Sequence, residues 1–197
     1  QLVRSWPRPL GMMEGIDDSY CAAIFIGYHA GVGNIDGIAA HTVSSKAFLS
    51  VKIHGIEMSE SGMNALIAGH FGDPVVMISG DDAAVREVYA MLGPMEGAVV
   101  KWHYSHTAAR TLMPEAAQAL IREKVRPGLR RREELNPFRM ESPLTLDLTY
   151  KKAEAAEIIA YLPNVDLIDN HTVRFVGSII EISMFIETAL GYPPTMA

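Results

Sequence analysis

The chain has 197 residues, 49% of them hydrophobic and 20% charged, which is enough apolar side chain for a globular interior and excludes an intrinsically disordered segment. Seventeen basic against twenty-three acidic residues leave a formal charge of −6, which argues against a nucleic-acid backbone or an anionic membrane surface as the main partner. The length allows one large domain, or one domain with a smaller second.

In chain order, "QLVRSWPRPLGMMEGIDDSY" has loop character, and the first strand of central type is "AAIFIGY" at 22–28. "AFLSVKI" and "IEMS", separated by His54 and Gly55, alternate about a tight turn and predict a hairpin. A helix is predicted from Glu60 to Phe71, carrying Met63, Leu66, Ile67 and His70 at helical spacing and stopping at Gly72. "DPVVMIS" predicts a buried strand, and Asp81 or Asp82 caps the helix "AAVREVYAML". "GAVVKWHYS" is a further strand, and the helix that starts near Pro114 is expected to be interrupted at Pro127 and Gly128. After the linker-like "NPFRMESP" at 136–143 come strand "LTLDLTY", helix "KKAEAAEIIAYL", strands at "VDLID" and "HTVRFVG", and a last helix "SIIEISMFIETAL". Strands that alternate with helices are the pattern of an α/β protein.

The apolar runs are strand-length and fall well below the ~20 residues of a membrane helix. A single cysteine, Cys21, cannot form an internal disulfide, and no cationic apolar leader precedes the first strand, so the expected location is the cytoplasm. The basic run "RPGLRRREE" reads as the solvated, salt-bridged end of a helix.

The chemistry concentrates in "FIGYHAGVGNIDGIAAH". His29 follows the end of an apolar strand, where open α/β sheets gather ligands, and the glycines at 27, 31, 33 and 37 let the loop approach a ligand closely. The plainer reading is a histidine satisfied at a strand end. Spacing in "GVGNIDG" does not fit the dinucleotide fingerprint. Glu60 opens the next helix with Asn64 one turn along the same face, either as a carboxylate favoured by the helix dipole or as a metal ligand. Together His29, His41 and Glu60 make a donor set suited to zinc. Further donors are Asp36, His54, His70, Asp81, Asp82, His103 and His106, of which Asp81 and Asp82 are better explained as caps. His103 and His106 fall at a strand end and turn, and His171 in "IDNHT" reads as a turn residue.

Three blocks, "GYHAGVGNIDGIAAHT", "SESGMNALIAGHFGDPVVMISGDD" and "VKWHYSHTAA", resemble in order the signature blocks of the D-aminopeptidase family of dinuclear zinc metallopeptidases. The resemblance extends through "MMEGIDDSY" and weakly through "VDLIDNHTVRF" to the final helix. It implies a three-layer α/β/α metal-binding domain, incomplete at its N-terminus, with a smaller C-terminal α/β domain; the sequence pattern puts their boundary between Gly97 and Ser142, and the expected division is 1–97 and 98–197. It also implies a hydrolase that releases the N-terminal residue, preferentially a D-amino acid, from short peptides, with two zinc ions per complete site and a ring-shaped homo-oligomer. His29 and Glu60 match metal ligands, and His41 matches the catalytic histidine, as nucleophile or as acid/base. Asn64, Lys101 and Ser105 fall in family-like blocks and are expected to line the substrate pocket.

Family members begin with a strand bearing an Asp-x-Glu pair and later carry a further histidine in an Asn-Asp-x-His-like segment. Neither precedes "QLVRSWPRPL", so the chain is expected to start inside the family domain, with part of the metal cluster supplied from outside it and little activity of its own. The alternative is a family-derived peptide-binding or assembly domain that lacks half the cluster. An α/β hydrolase or sugar-handling domain of another kind has little support, because no Gly-x-Ser-x-Gly elbow is present.

Overall fold

A computed structural model describes residues 2–191. The chain is α/β and divides into two compact units, each discontinuous in sequence: 16–41 with 59–139, and 1–15 with 42–58 and 140–197. The division differs from the expected break between 97 and 98. The hairpin segment at 42–58 pairs with a strand some 95 residues later, and such long-range pairing leaves no mark on local periodicity. One crossing, between Arg139 and Met140, does fall inside the linker-like 136–143.

The first unit carries a four-stranded sheet. Strands β1 (Ala23–Tyr28), β4 (Val75–Asp81) and β5 (Glu96–Ser105) run parallel, and β6 (Ala108–Thr111) closes one edge antiparallel to β5. Every residue of β4 is buried, as expected of an inner strand in a parallel sheet. Helices α1 (Glu60–Phe71), α2 (Asp82–Leu92) and α3 (Pro114–Arg130) complete the unit. Adjacent residues of β5 serve its opposite faces. A β-carbon at Gly97 would meet Val85 and Tyr89 of α2. The neighbouring Ala98 belongs to the cluster packed by Leu120, Ile121 and Val125 of α3, and Glu96 on the other side takes ion pairs from Lys124 and Arg131, each at 3.4 Å.

The predicted amphipathic α1 is buried on all sides from Ser61 to Gly69, as for a helix enclosed by the fold. Ser59 caps its start, and Gly72 ends it in the left-handed conformation. Pro127 does not interrupt α3, which continues to Arg130. The last turn is held because Gly128 lies against the Val76 carbonyl, where a β-carbon would sit at 2.6 Å, and because Arg131 pairs with Glu96 and Glu134. Two arginines of the basic run are thus paired within their own neighbourhood, Arg131 as above and Arg132 with Glu133 at 2.8 Å.

The second unit is built on a five-stranded antiparallel sheet in the order β3 (Ile56–Glu57), β2 (Phe48–Ile53), β7 (Leu144–Tyr150), β9 (Thr172–Gly177), β8 (Val165–Leu167). His54 and Gly55 both take positive φ at the β2–β3 turn, the conformation a two-residue hairpin loop requires. Alternation in β7 buries Leu144, Leu146, Leu148 and Tyr150, while Asp147 on the other face receives two hydrogen bonds from Arg174 at 2.7 and 2.9 Å. Helices α4 (Ala153–Ile159) and α5 (Ile179–Gly191) pack on this sheet, with Phe185 of α5 stacked on Phe175 at 4.7 Å. No helix among the described residues is long and apolar enough to cross a membrane.

Candidate metal centre

The site lies in the first unit and starts where β1 ends. Between Phe25 and Tyr28 the register of β1 against β4 shifts, and Gly27 takes a φ of +79° there while donating its N–H to Ser79 Oγ at 3.2 Å. A bulge of this kind re-aims the side chains that follow it. Gly80 of β4 lies so close beneath that a β-carbon would stand 2.2 Å from the Tyr28 carbonyl oxygen. His29 leaves the sheet from this point.

The loop then returns upon itself. At Gly37 a β-carbon would meet those of Ala30 and Ala40 at 2.6 and 2.8 Å, so here glycine is required by close approach rather than by backbone angle. The His41 N–H donates to the Ala30 carbonyl at 3.3 Å and closes the loop, and the Ala39 N–H donates to the His106 carbonyl at 2.7 Å. Ala39 has a positive φ of 49°, a strained conformation for a residue with a β-carbon. The loop thereby brings His41 onto His29, the two rings stacked with centroids 4.0 Å apart.

Glu60, the first residue of α1, meets both rings. His29 Nε2 stands 3.7 Å from Glu60 Oε2, and His41 Nε2 stands 3.7 Å from Glu60 Oε1. These separations exceed an N–H···O hydrogen bond. They are close to the spacing of about 3.4 Å between two donors of one tetrahedral zinc with bonds near 2.1 Å. The side chains retain 24%, 27% and 16% exposure for His29, His41 and Glu60, so they are open to solvent and to an ion. Among the described residues these three form the one group of three His, Cys, Asp or Glu donors within 4.8 Å of one another.

Tautomers support the fit. His29 Nδ1 lies 3.0 Å from the Ala30 carbonyl and His41 Nδ1 lies 2.7 Å from the Ala39 carbonyl. A carbonyl only accepts, so each Nδ1 carries a proton, and in the neutral imidazole Nε2 presents its lone pair toward Glu60. An imidazole that donates its distal N–H to the backbone is the usual second partner of a metal-ligating histidine. The donor set and its orientation therefore fit zinc.

Of the expected pocket residues, Asn64 is 6% exposed and donates Nδ2 to Tyr28 Oη at 2.8 Å. Burial first, and then the charge of Glu60, push the Tyr28 phenol well above its ordinary range, against the opposing Asn64 bond. The phenol is neutral, and Asn64 braces the strand from which His29 departs. Lys101 is half-buried on β5 opposite Thr111 of β6, and Ser105 is exposed at the end of β5, next to the His106 carbonyl that holds the loop. Tyr28 was missed in the sequence, where it reads only as the apolar end of a strand.

The other candidate donors lie outside this group. Asp36 lies 3.7 Å from Arg86, and Asp82 2.8 Å from the same side chain. Asp81 is the N-cap of α2, its Oδ1 accepting from the Ala84 N–H at 2.7 Å. His70 packs edge-on against Phe71, and His103 and His106 sit on β5 and the turn after it. His54 and His171 belong to the second unit, where each ring faces a backbone carbonyl, of Glu141 and Tyr150 respectively.

A family model described as D-aminopeptidase matches residues 1–187. The D-aminopeptidase of Bacillus subtilis (strain 168) is 29% identical over 169 residues, which cover 84% of this chain and 60% of that protein. The chain thus spans 60% of the length of this curated relative. A solved structure described as Zn-dependent D-aminopeptidase DppA from Bacillus subtilis, a self-compartmentalizing protease, superposes with a TM-score of 0.90 at 26% identity, over 99% of this chain and 72% of that one.

Proposed function

The chain belongs to the D-aminopeptidase family, and from that premise we propose that it is a zinc aminopeptidase releasing the N-terminal residue, preferentially a D-amino acid, from short peptides. The observation that carries the reading is the convergence of two Nδ1-protonated imidazoles on the two oxygens of one carboxylate.

In this reading His29 Nε2 and Glu60 Oε2 hold zinc. When bound, zinc supplies Lewis-acid polarisation of the scissile carbonyl and acidification of water. His41 Nε2, its lone pair freed by the bond from Nδ1 to Ala39, faces the same space and serves the reaction as acid/base or as nucleophile. The rings lie flat on one another, which fixes the distance between ligand and catalytic group. Lys101 and Ser105 contact the peptide from β5, and Asn64 acts from below through Tyr28. Two ions per site complete the proposal. A catalytic zinc usually takes three protein ligands, so both ions draw on donors beyond His29 and Glu60.

One observation favours a variant of this reading. His41 Nε2 is as near to Glu60 as His29 Nε2 is, the position of a third ligand to a single ion. Assembly into a closed homo-oligomer is proposed from the solved relative described as self-compartmentalizing, and a cytoplasmic location from the single cysteine, Cys21, which is exposed and free.

The test is zinc content by elemental analysis together with D-alanine release from D-Ala-D-Ala, for the parent chain and the His41→Ala and Glu60→Gln variants. Release that is lost in both variants supports the enzyme. Zinc retained without release shows a metal site that is not catalytic by itself, and absence of zinc from the parent overturns the metal centre.

A further inference from the structure

Glu87 of α2 lies outside the donor cluster and outside the sequence blocks that suggested the family. Both of its carboxylate oxygens are taken by the loop between the two histidines. Oε2 accepts the Gly31 N–H at 2.9 Å, and Oε1 accepts from the Asn34 side-chain amide. Asn34 Oδ1 in turn accepts the Asp36 N–H at 3.0 Å, and the Asn34 carbonyl accepts the Gly37 N–H at 3.2 Å. A single carboxylate on a helix therefore anchors a loop that has no regular secondary structure of its own.

The first of these bonds reaches the site. The Gly31 N–H and the Ala30 carbonyl belong to one peptide plane, and a peptide plane turns as a rigid unit. The carbonyl end of that plane accepts from His29 Nδ1 at 3.0 Å and from the His41 N–H at 3.3 Å. Whatever fixes the N–H end thus orients the acceptor that sets the His29 tautomer and closes the loop onto His41. Bonding a charged carboxylate to the N–H also polarises the plane and strengthens its carbonyl as an acceptor. Glu87 is half-buried, so this bond is less screened than a surface contact.

We propose that Glu87 is a positioning residue: through the Ala30–Gly31 peptide it fixes the tautomer of His29 and the seat of His41 against Glu60. The metal half of this inference rests on the proposed zinc centre, and the tautomer half does not. Glu87 touches neither reacting atoms nor the ion.

The experiment uses the whole chain and four forms: parent, Glu87→Ala, Glu87→Gln, and Glu87→Gln combined with Asn34→Asp. In the paired exchange the amide introduced at 87 still accepts from Gly31 and donates to the carboxylate introduced at 34, so both contacts return with the charge moved across. Two readouts are taken. Long-range proton–nitrogen NMR of metal-free protein at alkaline pH reports which ring nitrogen of His29 and His41 carries the proton, and chelator competition gives the zinc Kd. The parent shows Nδ1–H on both rings. Glu87→Ala loses the fixed tautomer of His29 and weakens zinc by up to about 10-fold, the low end of what losing a direct partner of a ligand costs, because Glu87 acts one bond further out. Glu87→Gln falls between, and the paired exchange returns both readouts close to the parent.

The proposal is overturned if Glu87→Ala keeps both tautomers and binds zinc as the parent does. It is equally overturned if the paired exchange restores neither readout, since the effect would then be general loss of packing. Should Glu87→Ala fail to fold, Glu87→Gln and its pair decide the matter. If the tautomers respond as described while the parent binds zinc no better than His29→Ala, the positioning role stands and the metal centre falls.

Discussion

The imidazole of His41 lies on that of His29, centroids 4.0 Å apart and planes 15° from parallel, with both Nε2 atoms directed at Glu60. Two rings in this relation carry out different tasks only if one binds the ion and the other remains free to act on the substrate. His41→Ala separates them. As a catalytic residue its loss lowers kcat by at least about a hundredfold, within the range of general acid–base contributions, while zinc content is unchanged. Loss of zinc in parallel with turnover would instead make His41 the third ligand.

Glu60→Gln removes the charge without removing α1's first residue or the Ser59 cap. A neutral amide is a poor zinc ligand beside a carboxylate, so zinc affinity falls by at least about tenfold while the thermal midpoint of the metal-free protein moves little. Isothermal titration with zinc and a melting curve without it measure the two effects separately. A fall in the metal-free midpoint as large as the loss of binding would show that Glu60 serves folding.

Gly80→Ala tests whether the site depends on the close contact of β4 beneath Tyr28. The added methyl would fall 2.2 Å from the Tyr28 carbonyl oxygen and 2.9 Å from its carbon, both backbone atoms that cannot turn aside. Overpacking of this kind costs about 1–3 kcal/mol, and the strand that carries His29 has to move. Urea denaturation is expected to show the loss in stability, with weakened zinc binding beside it. Parent-like values for both would mean the strands part without cost.

Much of this was legible in the sequence because it is local. The run 22–28 followed by His29, the start and stop of α1 at Glu60 and Gly72, and an aspartate cap of α2 at 81 or 82 each depend on residues a few positions apart; the structure places the strand and helix as read, selects Asp81 for the α2 cap, and adds an unpredicted cap of α1 at Ser59. Less legible was what depends on distant pairing. The register of Phe48 with Tyr150 takes 42–58 out of the first unit, and the four-residue β6 has too few residues to show a period. The loop glycines were read as one class, yet Gly27 supplies a positive φ whereas Gly37 supplies room. Asn64 was expected to line the pocket because it falls in a family-like block; that it is buried and gives its side-chain amide to Tyr28 Oη depends on packing between α1 and β1 that no local pattern shows.

Asp73, after the end of α1, supplies a pH-dependent test of the same unit. It is 2% exposed, and its Oδ2 has no hydrogen-bond partner among the described residues. Burial first, and then the charge of Asp17, hold its carboxyl above the usual range. Above that raised pKa the folded protein carries a buried charge that costs stability. As pH falls through it, the folded state takes up the proton before the unfolded state does, and the penalty disappears. Asp73→Asn therefore raises the melting midpoint at pH 7, and its advantage over the parent shrinks as pH approaches about 4, the ordinary aspartate pKa. A constant difference between pH 7 and pH 4 would contradict this.

The account stands most directly on where a zinc ion binds, which anomalous diffraction at the zinc edge locates in crystals grown with the metal. The expected result is a peak within about 2.0–2.2 Å of both His29 Nε2 and a Glu60 carboxylate oxygen, the bond lengths zinc takes with these donors. A zinc peak bound elsewhere, or none between those two side chains at saturating metal, would contradict it.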